Sequence, residues 1–406
     1  MTTVLTPSDE TQLAAAIASA RENRTALDIS GGMTKEQIGR PTRATMRLST
    51  SELSGITLYE PNEMVMSARA GTPISAIRAT LAQHGQALLF EPCELAHAVG
   101  GNPARATIGA IFATNASGSR RISAGAARDH LLGIRAVNGR GEIFKNGGRV
   151  MKNVTGYDLA RALCGSWGTL SVLTEVTFKV MPVPAASTTL VLLGLPDEIA
   201  IEVLTTAMGT PYEVSGACHL QARTVPRIRH PVIRTVGKSV TAIRLEALPK
   251  SLDYRREQLA KLLKPFGALH DLAQNDSERF WQEVTDGGPL VDSDLPLWRI
   301  STAPANGPKL VASLARYMET DALYDWSGGL IWLEVPSTSD AGAADVRRLL
   351  ATYGGHATLI RATPEARVAV DVFQTQDPSI MRLSQRIKAA FDPENILNPG
   401  RMYIAF

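Results

Sequence analysis

The sequence has few cysteines, and their spacing offers neither a metal site nor a disulfide framework. Only three of its 406 residues are cysteine, and Cys93, Cys164 and Cys218 are far apart, with no Cys-x-x-Cys pair. An odd number at such spacing gives no disulfide framework, zinc site or iron–sulfur cluster. We expect each thiol to be a small buried side chain.

Long apolar runs and a strong net charge are also missing. No uninterrupted apolar run approaches the ~20 residues of a transmembrane helix, and residues 1–12 lack the charged and apolar regions of a secretory signal. The net charge is +3, and the most basic stretch, residues 223–234, has no interleaved aromatic side chains on which bases could stack. We therefore expect a cytoplasmic protein without a nucleic-acid partner, whose contact with the inner membrane, if any, is through a partner chain.

Several familiar catalytic motifs are absent as well. No Gly-x-Gly-x-x-Gly sequence opens a helix after a strand, and no Gly-x-x-x-x-Gly-Lys-Ser/Thr loop occurs. Residues 165–168, GSWG, are one residue short of the Gly-x-Ser-x-Gly turn of hydrolases. The seven histidines are scattered, and neither they nor the acidic residues have metal-ligand spacing. The sequence therefore predicts no metal site and leaves the catalytic base unknown.

The sequence does contain two loops rich in glycine and small residues. The longer is residues 100–129, around the apolar run ATIGAIFA, and the shorter is residues 30–35, SGGMTK. Glycine lets the backbone approach a ligand closely, and successive amide N–H groups form concavities that bind anions. Flexible surface turns have the same composition, so each loop alone fits both interpretations. Together they predict a phosphate-bearing ligand held from two sides, mostly by backbone amides.

The composition and the order of the predicted elements indicate an α+β fold. With 44% apolar and 20% charged residues the chain is an ordinary globular protein, and its length predicts two or three domains. Helices and strands are mixed up to Pro182 and Pro184, which mark the main boundary. From Ser187 onward strands alternate with single helices, which is the pattern of a ferredoxin-like domain, single or duplicated.

Three segments, in order, resemble the flavoproteins that bind FAD through a vanillyl-alcohol-oxidase or PCMH-type domain. They are the Gly-Gly loop at 31–32, the stretch 106–129 and the segment 165–175. More narrowly, residues 151–159 (MKNVTGYDL) and the ending 398–403 (NPGRMY) are similar to the FAD-binding subunits of bacterial glycolate oxidase. The order and the spacing of all these segments carry the resemblance.

The resemblance implies a domain organisation. A PCMH-type two-subdomain FAD-binding domain would cover residues 1–184, followed by a ferredoxin-like α+β cap domain over residues 185–376. A C-terminal helix and tail, residues 377–406, would return to the FAD domain. The likeness is close over the first 184 residues and the C-terminus, and between them it is one of architecture.

The resemblance also implies how FAD is held. The pyrophosphate would lie on the amides of residues 31–34 and 107–109, with residues 114–118 lining the adenine and ribose side. Residues 172–173 would pass beside the isoalloxazine, and Pro92 would lie near that ring. No His or Cys stands in the first loop, so FAD would be bound without a covalent link. The implied cofactor-binding residues are Gly31, Gly32, Met33, Thr34, Pro92, Thr107, Ile108, Gly109, Thr114, Asn115, Ser117, Gly118, Val172 and Leu173.

The chain departs from the family pattern at several places. Family members usually have Arg-Gly-Gly-Gly where residues 30–33 read SGGM, and Ile-Gly-Gly where residues 108–110 read IGA. Residues 95–104 look like an insertion ahead of the second loop. The C-terminal Glu-His-Gly stretch and the metal-ligating histidines of the family's 2-hydroxy-acid dehydrogenases are missing.

The function that the resemblance implies is that of an FAD-dependent 2-hydroxy-acid oxidoreductase working as a subunit of a glycolate oxidase complex. Glycolate would be oxidised to glyoxylate, electrons would pass to an iron–sulfur subunit, and a second flavin subunit would complete the complex. Two alternatives stay open: a self-sufficient flavin dehydrogenase or oxidase of a small 2-hydroxy acid, and a structural subunit whose flavin site has decayed. Flavin content and turnover by the isolated chain would distinguish them.

Overall fold

The computed structural model of the chain describes residues 3–151 and 156–406. The strands of its N-terminal part are β1 (Thr3–Leu5), β2 (Leu27–Ser30), β3 (Met46–Ser49), β4 (Ile56–Glu60), β5 (Val65–Arg69), β6 (Gln86–Ala87), β7 (Leu131–Asn138), β8 (Ile143–Gly147), β9 (Ser171–Lys179) and β10 (Met181–Pro182). The helices are α1 (Glu10–Glu22), α2 (Ile74–Ala82), α3 (Ile108–Thr114), α4 (Arg121–Ala124), α5 (Ala127–His130) and α6 (Leu159–Leu163).

These strands form two main sheets. One is parallel and three-stranded, with the order β1-β3-β2, and the other is antiparallel and five-stranded, with the order β4-β5-β9-β7-β8. Strands β6 and β10 pair separately. The two sheets correspond to the two subdomains that the sequence resemblance implies.

The sequence of α1 explains how this helix begins and which face it buries. Asp9 precedes it and accepts a hydrogen bond from the Gln12 backbone N–H at 2.8 Å, which satisfies one of the free amides at a helix start. Leu13 and Ile17, one turn apart, are fully buried. They belong to the same apolar cluster as Leu27 of β2, so this helix covers the parallel sheet.

The cap is built on one sheet of eight antiparallel strands. Its strands are β11 (Ala186–Leu193), β12 (Val214–Leu220), β13 (Val240–Ala247), β14 (Leu269–Leu272), β15 (Leu297–Ser301), β16 (Asp321–Asp325), β17 (Leu330–Glu334) and β18 (His356–Arg361). The helices from here to the C-terminus are α7 (Asp197–Met208), α8 (Pro249–Leu263), α9 (Gln274–Thr285), α10 (Gly307–Leu314), α11 (Ala343–Tyr353), α12 (Pro364–Ala369) and α13 (Pro378–Phe391).

The cap contains two ferredoxin-like units. Each has the element order strand-helix-strand-strand-helix-strand, and the sheet order is β14-β11-β13-β12 in the first unit and β16-β17-β15-β18 in the second. The units join where β12 pairs with β16, at His219 opposite Tyr324 and Leu220 opposite Leu323. The α+β fold is therefore as predicted, and the ferredoxin-like pattern is duplicated.

The C-terminal tail lies beside β2. The Leu27 N–H donates to the Ile396 carbonyl at 2.8 Å, and the Leu27 carbonyl accepts from the Asn398 N–H at 3.0 Å. The Asn398 side chain then accepts from the Ile29 N–H at 2.7 Å. The tail thus becomes part of the wall behind the first Gly-rich loop. The domain boundaries after residues 184 and 376 stay predictions.

The three cysteines are free and buried, as predicted. Among residues 3–151 and 156–406, no helix is long and apolar enough to cross a membrane. In the same two ranges, no group of three or more His, Cys, Asp or Glu side chains is placed to hold a metal ion. Residues 152–155 of the motif at 151–159 lie outside the described residues.

Candidate functional site

One cavity brings together the first Gly-rich loop, the start of α3 and the segment 166–173. The space between these segments that no protein atom occupies is about 800 Å³, part of it open to solvent. Apolar side chains such as Ile29, backbone groups and hydroxyls form its wall, to which the tail contributes Arg401. The predicted cofactor-binding residues in this wall are Gly31, Met33, Thr34, Gly109, Thr114, Val172 and Leu173.

The first loop has four free backbone amides. The N–H groups of Gly31, Gly32, Met33 and Thr34 donate no hydrogen bond within the described parts of the chain, 3–151 and 156–406. Successive amides of this kind form a concavity that binds anions. The loop therefore fits the diphosphate of a dinucleotide cofactor.

Close contact with the segment before α3 explains both glycines of this loop. A Cβ on Gly32 would lie 1.5 Å from the carbonyl oxygen of Arg105. A Cβ on Gly31 would lie 2.5 Å from the hydroxyl oxygen of Thr107. A larger residue at Gly32 would meet backbone atoms and fits only if the loop moves away, whereas at Gly31 the Thr107 side chain would have to shift.

Met33 keeps the backbone conformation that glycine favours. Its φ is 64°, in the left-handed region, at the position where the family usually has a third glycine. The side chain is 37% exposed, and its sulfur accepts a hydrogen bond from Arg47 at 3.4 Å. The departure from glycine therefore leaves the loop backbone in place, with the methionine side chain at the rim of the cavity.

Three buried hydroxyl groups beside the cavity lack a hydrogen-bond partner. Ser30 Oγ, Thr107 Oγ1 and Ser171 Oγ bond to nothing among the described residues. Ser30 and Ser171 lie in the cavity wall, and Thr107 is the residue that approaches the first loop. An unsatisfied buried hydroxyl costs about 1–3 kcal/mol. A polar ligand in the cavity would satisfy them, so the residues present fit such a ligand.

The first two backbone amides of α3 donate hydrogen bonds within the protein. The N–H of Ile108 donates to the Thr72 carbonyl at 3.0 Å, and that of Gly109 donates to the Ala70 carbonyl at 2.9 Å. A Cβ on Gly109 would lie 2.6 Å from the Cβ of Ala70. Both amides thus attach α3 to the residues that follow β5, and their predicted contact with the pyrophosphate stays a prediction.

Asn115, Ser117, Gly118 and Pro92 lie outside the wall of the cavity. The side-chain oxygens of Asn115 and Ser117 accept hydrogen bonds at 3.0 and 2.8 Å from backbone N–H groups of α5. Gly118 donates its N–H at 2.7 Å to the carbonyl of the residue before Pro92. Pro92 therefore lies next to the segment that contains Gly118, whereas Val172 lines the cavity. The predicted contacts of Pro92, Asn115, Ser117, Gly118 and Val172 with the cofactor stay predictions.

Lys35 adds a buried cation to the cavity wall. Its Nζ donates to the Glu94 carbonyl at 3.0 Å, and burial lowers the pKa of the ammonium to about 8. A buried ammonium of this kind favours an anionic ligand nearby. Lys35 lies in the first Gly-rich loop, but a lone lysine in such a loop indicates no role by its sequence context.

A network of four charged side chains joins the turn after Gly118 to the cap sheet. Arg120 contacts Glu91 at 2.8 Å and Glu246 at 2.9 Å, and Arg244 contacts Glu91 at 2.8 Å. Burial alone would raise the pKa of Glu246, but the two arginines outweigh it and lower that pKa to about 2. Sequence reasoning missed this network because its members are distant in the chain and no local spacing signals the pairing.

The comparisons with known families agree with the position of this cavity. The family model described as an FAD binding domain matches residues 1–147. The model described as the C-terminal domain of FAD linked oxidases matches residues 372–402. These two segments contribute the first loop, α3 and the tail residue Arg401 to the cavity wall.

Individual proteins match over nearly the whole chain. Glycolate oxidase subunit GlcE of Escherichia coli (strain K12) is 33% identical, with 95% of this chain and 94% of that protein covered. A D-lactate dehydrogenase of Archaeoglobus fulgidus is 26% identical, with 98% and 90% covered. Among solved structures, p-cresol methylhydroxylase has a TM-score of 0.72 at 14% identity, with 98% of this chain and 88% of that chain covered, which shows the shared fold.

Proposed function

Because the chain belongs to the FAD-linked oxidoreductase family of glycolate oxidase subunit GlcE, we propose that it is the FAD-binding subunit of a glycolate oxidase complex. FAD is its cofactor and it is an FAD-dependent oxidoreductase. In this proposal glycolate is oxidised to glyoxylate and electrons leave through an iron–sulfur subunit. A second flavin subunit completes the complex, and any membrane contact of this cytoplasmic chain is through a partner.

The observation that carries the proposal is the set of four free amides in the first loop. Residues 31–34 would hold the diphosphate of FAD, and Lys35 would balance part of its charge. The hydroxyls of Ser30, Thr107 and Ser171 would bond to the remaining polar groups of the cofactor. When bound, FAD supplies the hydride acceptor for oxidation of a 2-hydroxy acid.

The partner chains are proposed on two grounds. One relative that matches over 95% of this chain is described as a subunit of glycolate oxidase. The described residues of this chain contain no cysteine cluster that could hold an iron–sulfur centre. A relay of single electrons to a distant acceptor therefore requires a second protein.

A second candidate is a self-sufficient dehydrogenase of a small 2-hydroxy acid. The full-length likeness to a D-lactate dehydrogenase favours it. Against it, the sequence contains no Glu-His-Gly stretch of the kind that the family's 2-hydroxy-acid dehydrogenases carry near the C-terminus.

Anaerobic mixing with glycolate separates these candidates. The flavin-loaded chain is mixed with glycolate alone and again after assembly with the flavin and iron–sulfur subunits, and the visible absorbance is followed. We expect rapid bleaching and turnover with an artificial acceptor in the assembled complex. Equally rapid turnover by the lone chain would favour the second candidate, and no bleaching in either sample would contradict both.

A further inference from the structure

One side of α13 carries apolar residues that the chain leaves exposed. The side chains of Ile380, Leu383 and Ile387 are 50%, 50% and 40% exposed, and their spacing of three and four residues places them on one face of the helix. We call these three residues the α13 stripe. Beside it, Phe391 packs on Phe144 of β8, with ring centres 6.0 Å apart. The helix therefore buries only one edge of its apolar surface.

Two arginines border the α13 stripe. Arg382 and Arg386 are exposed, and neither forms an ion pair or a side-chain hydrogen bond within residues 3–151 and 156–406. The exposed Arg256 of α8, by contrast, pairs with Asp271. The sequence of α13 contains no acidic residue, so the outer surface of this helix is positive as well as apolar.

The helix lies directly behind the wall of the cofactor cavity. Lys388 donates at 2.7 Å to the carbonyl of Thr169, which follows Gly168 of the cavity wall. The ring of Trp167, also in this wall, packs edge-on against Phe373, with ring centres 5.3 Å apart. A helix with its side chains is ~10–12 Å across. A protein docked on the α13 stripe would thus be separated from the cavity wall by a single helix.

The chemistry of this surface favours a different protein over a second copy or a membrane. A second copy docked about a two-fold axis would bring the arginines of both chains together, which is unfavourable. Helices that lie in a membrane surface are rich in Lys and Arg and carry Trp or Phe on the apolar side, whereas the exposed side of α13 has two arginines and no aromatic residue. A patch of three half-exposed side chains is also small, as interfaces between redox partners are.

We propose that the α13 stripe, together with Arg382 and Arg386, is the docking face for the electron-accepting iron–sulfur subunit. This inference rests on the proposed function. The partner surface that fits is an apolar patch bordered by carboxylates. Burial of the Ile and Leu side chains would drive association, and the charge pairs at the rim would set its orientation and rate.

The test is a calorimetric titration of the isolated iron–sulfur subunit with the flavin-loaded chain. Leu383→Glu removes the centre of the α13 stripe and adds a charge that the partner's carboxylates repel, so we expect binding to weaken by about tenfold or more. Leu262→Glu, at an exposed leucine of α8, is the matched control and should bind as the wild type does. Both variants should keep the melting temperature and the FAD content, because each changes an exposed side chain.

A variant with Arg382→Glu and Arg386→Glu tests the rim of the same face. Salt screens charge pairs at an exposed rim, so binding of the iron–sulfur subunit by the wild type should weaken as salt is added. The double variant should bind more weakly than the wild type at low salt and should not lose further affinity when salt is added.

The outcomes separate this inference from the proposed function. Wild-type affinity in Leu383→Glu and in the double arginine variant would overturn the inference and leave the proposed function standing. No binding of the iron–sulfur subunit by the wild type would contradict both. Sedimentation with phosphatidylglycerol vesicles, or self-association, that Leu383→Glu abolishes while the iron–sulfur subunit still binds normally would assign the α13 stripe to a membrane or to a second copy, and would overturn the inference.

Discussion

At the scale of single residues, the hydroxyl of Thr107 separates cofactor binding from stability. Thr107 Oγ1 is buried without a partner among the described residues, so Thr107→Val removes an unsatisfied group. We expect the flavin-free variant to be as stable as the wild type or more stable by ~1 kcal/mol, and to bind FAD several-fold more weakly. Thermal melting and FAD titration check both signs. Thr80→Val is the control, because the Thr80 hydroxyl bonds to a carbonyl of its own helix. Lower stability of Thr107→Val with normal FAD affinity would contradict a role of the Thr107 hydroxyl in cofactor binding.

Gly32 tests the close contact between the first loop and the segment before α3. A Cβ on this residue would lie 1.5 Å from the Arg105 carbonyl oxygen, so Gly32→Ala must displace the loop and its amides. We expect a loss of roughly 1–3 kcal/mol in the free energy of unfolding and loss of most of the bound FAD. Gly148→Ala, where a Cβ meets nothing within 4 Å, should change neither quantity. Full FAD content in Gly32→Ala would show that the loop is not in contact with the cofactor.

Which site residues the sequence could identify depends on whether their role is local. The glycines of the first loop were predicted, because close approach and free amides follow from the local composition. The hydrogen bonds from the Ile108 and Gly109 amides to Thr72 and Ala70 were not, because these partners lie far earlier in the chain. The contacts of Arg120 with Glu246 and of Arg244 with Glu91 depend on how two domains meet, and no spacing along the chain indicates them.

At the scale of elements, α13 is attached through one buried lysine. Lys388 donates to the Thr169 and Leu397 carbonyls at 2.7 and 2.9 Å and to Asp392 at 2.6 Å. Lys388→Met leaves the buried Asp392 without its counter-charge, so we expect a loss of about 3–5 kcal/mol in stability. Urea unfolding measures it, with Arg386→Met on the exposed face of the same helix as the control. A loss below ~1 kcal/mol would mean that the tail is held mainly by other contacts.

The helices and strands of the cap could be predicted from the sequence, but the pairing between its two units could not. Alternating strands and single helices indicated the ferredoxin-like pattern, since each element has its own hydrophobic period. The duplication was left open because no sequence repeat accompanies it. It becomes evident only when β12 and β16 pair at the edges of the two units, a contact between residues about a hundred positions apart.

At the scale of the whole molecule, the Arg–Glu network predicts acid sensitivity. The pKa of Glu246 is about 2 in the folded chain against 4.5 for an ordinary glutamate, so its contribution is complete above pH 5 and is lost as the pH falls towards 2. This group alone should account for roughly 3 kcal/mol of stability. The stability difference between the wild type and Glu246→Gln should therefore close by that amount between pH 6 and pH 2, measured by urea unfolding.

The control for this pH dependence is Glu319→Gln, which removes an exposed partner of Arg223. Its difference from the wild type should stay near zero at every pH, because exposed ion pairs contribute little. A constant gap between the wild type and Glu246→Gln from pH 6 to pH 2 would show that the network does not hold the carboxylate ionised.

The most direct test of the cofactor site is the visible absorption spectrum of the purified chain, with the released cofactor identified and counted. The free amides of residues 31–34, Lys35 and the three buried hydroxyls predict one molecule of non-covalent FAD per chain. A colourless, cooperatively folding chain that cannot be loaded with FAD would contradict the account, and would leave a structural subunit whose flavin site has decayed.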